Sequence, residues 1–204
     1  MNVDVLTTAF FTLFVVIDPI GLSPMFIALT QGMDRRARRA IALRATLISA
    51  GILTLFALFG EAVLGFMGIS MSAFRIAGGA LLFLTALDML FERLSKRRKG
   101  QAHAENDPSV FPLATPLIAG PGAIASMILL TGSAEGDPAL IAAMLGVLAA
   151  VLALVLLAFI IGGEVERLLG DTGINVVTRL LGMLLAALAV QFVLDGLQSV
   201  LAML

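Results

Sequence analysis

Apolar positions in this chain come in long blocks rather than in alternation, with polar residues gathered into short intervals between them. Six blocks are long enough to cross a bilayer as helix: about Val5 to Thr30, Ile41 to Gly60, Ser72 to Phe91, Val110 to Thr131, Ala139 to Ile161 and Val176 to Leu201. The clearest is the fifth, since Ala139 to Gly163 carries no charge over 25 positions, about 38 Å as helix. Between the blocks, Asp34 to Arg39 reads as a basic loop, Glu61 to Ser70 as a short connection and Ser133 to Pro138 as an acidic turn. Arg167 and Asp171 mark a last loop, and the longest polar stretch runs from Ser95 to Asp107. The pattern predicts an all-α integral membrane protein, one membrane domain over residues 1–204 with six transmembrane segments.

Two of the six segments are interrupted. In Ile17-Asp18-Pro19-Ile20-Gly21-Leu22-Ser23-Pro24, each proline disfavours helix at the residue before it, which predicts a break of about five residues over 18–23. Ser23 before Pro24 reads as an N-cap followed by a first-turn proline, so a second half-helix is expected to start there. Pro116 and Pro121 repeat the five-residue spacing of Pro19 and Pro24, within Thr115-Pro116-Leu117-Ile118-Ala119-Gly120-Pro121-Gly122. Irregular backbone at membrane depth is tolerated only where protein or a wet cavity surrounds it, and paired breaks in two halves point to a transport site. The plainer alternatives are prolines that only kink their helices, or segments 1 and 4 that re-enter rather than span.

The halves match beyond the prolines. Gly60-Glu61 corresponds to Gly163-Glu164, Gly68-Ile69-Ser70 to Gly173-Ile174-Asn175, and Arg75 with Gly78 to Arg179 with Gly182. Three segments per half is an odd number, so the second half enters from the opposite side: two inverted three-helix repeats, 1–94 and 109–204, joined by a cytoplasmic linker over 95–108. Arginine and lysine concentrate in the 1–2, 3–4 and 5–6 intervals and are absent from the termini and the 4–5 turn, which puts both termini outside the cytoplasm. Gly78, Gly79 and Gly182 suit close helix packing.

Composition narrows the chemistry. The chain of 204 residues is 60% hydrophobic and 13% charged, with a formal charge of -1, which argues against a nucleic-acid partner. Zero cysteines exclude thiol chemistry, and one histidine, His103, excludes a paired-histidine metal site, so no metal, cofactor or enzymatic activity is expected. What remains is a binding site at the breaks. The amides of Met25, Phe26, Gly122 and Ala123 would begin half-helices at mid-depth and attract an anion without a basic side chain. Asp18 and the carbonyl ends before each break would attract a cation, so the pair suits an amino acid zwitterion. Gly21, Ser23, Thr115 and Gly120 complete the expected substrate-binding set. Asp18 is also the candidate for proton coupling, against a plainer role as a turn carboxylate bonded to the Gly21 or Leu22 amide. Glu61 with Arg75, and Glu164 with Arg179, are expected ion pairs.

Asp18-Pro19-Ile20-Gly21 through Pro24, with Thr115-Pro116-Leu117 and Gly120-Pro121-Gly122, resemble the paired signatures of the MarC family, also called UPF0056, over essentially the whole chain. The resemblance implies a multi-pass protein of the bacterial inner membrane, related to LysE-type exporters and to neutral amino acid transport with proton coupling. The expectation is a secondary transporter of small neutral amino acids, resembling glycine, alanine or serine, with the lipid bilayer as its surroundings and room for a homo-oligomer. An exporter of other small metabolites, or a non-transporting membrane adaptor, are the alternatives.

Overall fold

The computed structural model describes residues 3–91, 107–134 and 136–202. Most of the predicted 95–108 linker, with His103, lies outside them. The described residues form α1 (Val3–Ile17), α2 (Pro19–Leu29), α3 (Arg35–Phe66), α4 (Met71–Phe91), the π-type segment α5 (Ser109–Ile118), which is extended at Phe111 and Thr115, α6 (Pro121–Gly132) and α7 (Pro138–Leu201). Five stretches are long and apolar enough to cross a membrane: Asp4–Leu29, Arg35–Phe66, Met71–Phe91, and the two limbs of α7, Pro138–Glu164 and Thr172–Leu201. The pair α5 and α6, bent by 54° at their junction, makes a sixth if counted as one span.

Helix ends are set by caps rather than by the limits of the apolar blocks. The Asp34 carboxylate accepts the Ala37 amide at 2.6 Å and starts α3 at Arg35, so the expected basic loop is helix and its four arginines lie on the first turns. At the far end α3 runs on through Glu61 to Phe66, past the expected connection. It closes where Gly68, at φ 71, donates to the Gly65 carbonyl and Ile69 donates to that of Leu64. The expected loop between segments 5 and 6 is likewise almost absent. α7 bends at Gly170 alone, with φ 63 and ψ 171, a conformation that a side chain would resist.

α4 packs along the second limb of α7, with Gly79 against the Ala189 carbonyl and Val193, Gly182 against Ala86 and Met89, and Gly196 against Ser72 and Ile76. These contacts run in opposite directions along the two helices, and the small residues expected to serve packing do so. Gly78, on the other side of α4, meets Leu129 and Ala125 of α6. The two broken spans are placed crosswise: α1 and α2 lie on α7, while α5 and α6 lie on α3 and α4.

The same contacts sort the loops. Arg44 in the third turn of α3 pairs with Asp107 before α5, and Arg35, Arg38 and Arg39 share a cavity with Gly163 and Glu164. Those segments form one end of the bundle; Met71 against Gly132 marks the other. Phe26, Phe159, Leu13, Ile17, Leu82, Leu113, Ile118 and Met127 are fully buried, whereas Phe11, Leu47, Phe66, Leu168 and Leu184 are exposed. An apolar outside of this extent suits lipid and not water.

Candidate functional site at the helix breaks

The first break is one residue long, not five. Asp18 alone leaves the helical region, at φ 51 and ψ 68, a left-handed conformation that aspartate tolerates better than most residues. The backbone is bonded on both sides, with the Asp18 amide donating to the Phe14 carbonyl at 2.9 Å and the Leu22 amide to the Asp18 carbonyl at 3.0 Å. Its carboxylate folds back to accept the Gly21 amide at 3.0 Å, making Asp18 the N-cap of α2 with Pro19 in the first helical position. The turn-carboxylate alternative therefore describes Asp18 in this structure. Any side chain at residue 21 would collide with that carboxylate and press on Thr178 Oγ1, so glycine is required there.

Ser23 and Pro24 consequently sit inside α2 and start nothing. The Ser23 hydroxyl is fully buried and reaches the Pro19 carbonyl at 3.0 Å and the Ala158 carbonyl of α7 at 3.4 Å. Pro24 has no amide to give the Ile20 carbonyl. Met25 and Phe26 lie in the second turn, so their amides belong to the helix ladder and the expected anion site at this end is not formed. Phe26 instead stacks on Phe159, ring centroids 4.4 Å apart and planes within 7°.

The second break is where the half-helix argument applies. Gly120 is extended, at φ -80 and ψ 169, Pro121 opens α6, and no side chain caps that terminus. The Gly122 and Ala123 amides thus stand in the uncapped first turn of α6, both residues buried. Gly120 is tied to the break by space, because an added Cβ would meet the Pro116 carbonyl oxygen. On the other side the Ala114 carbonyl accepts the Ala119 amide at 2.9 Å and the Ser49 hydroxyl at 3.4 Å, so it is not the open acceptor that the half-helix picture expected. Thr115, Pro116 and Pro121 are exposed on the outer side of this segment.

The two breaks meet. A Cβ on Gly122 would lie 3.4 Å from Val16, 3.4 Å from Thr85 and 3.2 Å from Leu82, so the first turn of α6 sits against the last turn of α1. The last turn of α1 thus meets the first turn of α6, and the two helices are in contact. Three hydroxyls near this crossing were not singled out as site residues from the sequence: Thr12 on α1, Ser126 on α6 and Thr178 on the second limb of α7. All three oxygens are buried without a hydrogen-bond partner among the described residues. Thr12 stands one turn before Val16, Ser126 one turn after Gly122, and Thr178 beside Gly21. Each hydroxyl costs stability unless something bonds it.

The expected pair of Glu61 with Arg75 is not formed. Arg44 pairs instead with Asp107, and Glu164 lines the cavity near Arg35, Arg38 and Arg39.

A helical bundle with an apolar exterior, five to six spans and two buried breaks in contact defines an integral membrane protein built around its interior crossing. The sequence profile of the MarC family, described as integral membrane proteins, matches residues 3–201, and the chain belongs to that family. It is 42% identical to a UPF0056 membrane protein of Archaeoglobus fulgidus, over 93% of this chain and 90% of the relative. It is 37% identical to the UPF0056 membrane protein YvbG of Bacillus subtilis, covering 93% and 92% of the two chains. With the UPF0056 membrane protein YhcE of Escherichia coli it shares 35% identity over 94% and 91%. No solved structure matches significantly.

Proposed function

We propose that the chain is a secondary transporter of small neutral amino acids, with the substrate held where the two breaks meet. The observation that carries this reading is the uncapped first turn of α6 lying against the end of α1, with unpartnered buried hydroxyls one turn away on both helices. A zwitterion supplies what those groups lack. Its carboxylate accepts the Gly122 and Ala123 amides and the Ser126 hydroxyl, where the helix terminus favours negative charge. Its ammonium is drawn to the Asp18 carboxylate, the buried acid at the first break. Leu82, Thr85 and Val16 crowd the crossing, which favours side chains no larger than those of alanine or serine.

Asp18 is the proposed coupling group, since an ionisable residue buried between spans is usually functional. The crosswise placement of the broken spans supports two inverted repeats, Ser23 reaching from α2 to the carbonyl of Ala158 on α7 much as Ser49 on α3 reaches that of Ala114 on α5. Alternating access then rocks one pair of spans against the other around the crossing.

The test is uptake of labelled alanine into proteoliposomes under an imposed proton gradient. Wild type should accumulate it, and Asp18→Asn should lose accumulation while any remaining exchange becomes independent of pH. Accumulation by Asp18→Asn at the wild-type rate would remove Asp18 from the mechanism. A wild type that moves neither glycine, alanine nor serine would remove the reading.

A further inference from the structure

A cavity of about 260 Å³ opens beside the start of α3, lined by Arg35, Arg38, Arg39, Phe26, Phe159 and Glu164 among others. Among the described residues its lining carries three arginines and one carboxylate. Arg35, Arg36, Arg38 and Arg39 all stand on the first turns of α3, where the helix terminus already favours anions over cations. Among the described residues the carboxylate in the cavity wall is Glu164, and Asp34, which caps α3, is engaged with the Ala37 amide. None of the four arginines forms an ion pair among the described residues.

The floor is also built. The Phe26 and Phe159 rings stack face to face and are almost fully buried, and the Arg38 guanidinium lies 5.8 Å from the Phe26 centroid. Held over a ring, a guanidinium loses rotamer freedom but keeps its N–H edge for a planar or tetrahedral oxyanion. Beside this floor Ile160 and Ile161 are exposed on the first limb of α7, so the cavity adjoins an apolar surface.

We propose that this cavity binds a phosphate group, with Arg35, Arg38 and Arg39 as its donors and the stacked phenylalanines as its floor. The proposal is separate from the amino acid reading and does not depend on it. Phosphate can arrive on the headgroup of an anionic lipid or free in solution, and Ile160 and Ile161 would lie along the acyl chains of the former.

The full chain in detergent micelles, followed by native mass spectrometry, separates the two sources. Titrated with phosphatidylglycerol, wild type should retain one lipid more firmly than it retains phosphatidylcholine. Arg38→Gln with Arg39→Gln should weaken that retention roughly tenfold, and Arg75→Gln, at the other end of the bundle, should not change it. If the source is soluble, inorganic phosphate raises the melting temperature and displaces the lipid; if it is lipid, phosphate does neither. A wild type that responds to neither probe overturns the proposal. So does equal weakening by Arg75→Gln, or full retention by a folded Arg38→Gln, Arg39→Gln variant.

Discussion

Gly21 and Asp18 are a single device. The carboxylate of Asp18 occupies the space that a side chain at residue 21 would fill, and in return it accepts the Gly21 amide. Gly21→Ala should therefore destabilise by roughly 1–3 kcal/mol as the carboxylate is pushed off its cap, read as a lower melting temperature in detergent. The three orphan hydroxyls predict the opposite sign. Ser126→Ala, Thr12→Val and Thr178→Val each remove a buried oxygen that the described protein leaves without a partner, so each should leave stability unchanged or raise it by up to about 1 kcal/mol. Were the hydroxyls structural, the same changes would lower the melting temperature. Asp18, Gly120 and the uncapped turn of α6 were legible from residue types alone. The hydroxyls were not, because whether a serine inside a helix finds a partner depends on the helix packed beside it. Gly120 shows the converse: its requirement reads as substrate space in sequence and is contact with the Pro116 carbonyl in the structure, so valine there would disturb the break itself.

At the scale of elements, the long apolar blocks fixed which segments span, and capping chemistry decided where they end. Two N-cap and proline pairs follow one another in the first segment, Asp18 with Pro19 and Ser23 with Pro24. The fold uses the first, after which Pro24 needs only to forgo one backbone bond within α2. Just before α5, the Asp107 carboxylate accepts the Ser109 hydroxyl at 2.7 Å and amide at 3.0 Å and also pairs with Arg44. The Ser109 bonds, with a smaller contribution from Arg44, hold this carboxyl below its ordinary value. A depressed folded value means the stabilisation is complete above the unfolded value and disappears as the pH falls through the folded one. Melting temperature against pH should therefore drop less steeply on the acid side in Asp107→Asn than in wild type. The effect should stay within about 1 kcal/mol because the pair is partly exposed. Glu61 and Arg75, which recur in both halves of the sequence, do not touch. Losses of stability in Glu61→Gln and Arg75→Gln should add in the double variant, and a double variant better than the sum would restore the pair.

For the whole molecule, the contacts that join α3, α5 and the bend of α7 at one end agree with the clustering of arginine and lysine in sequence. We therefore propose that this end faces the cytoplasm. The chain has no cysteine, so single cysteines at Asp4, Ser133 and Met33 can be read directly. The first two should react with an impermeant reagent added outside intact cells and the third should not; the reverse pattern would invert the orientation. Sequence alone could place the two breaks in corresponding halves, but not in contact, since that depends on how the end of α1 packs on the start of α6. On that contact the functional reading rests, and alanine binding tests it most directly. Ligand that binds only the folded protein raises its melting temperature with concentration. Wild type should show that rise with alanine, and Ser126→Ala combined with Thr12→Val, although no less stable without ligand, should show little or none. An equal rise in the double variant, or none in wild type, would contradict a substrate site at the crossing of the breaks.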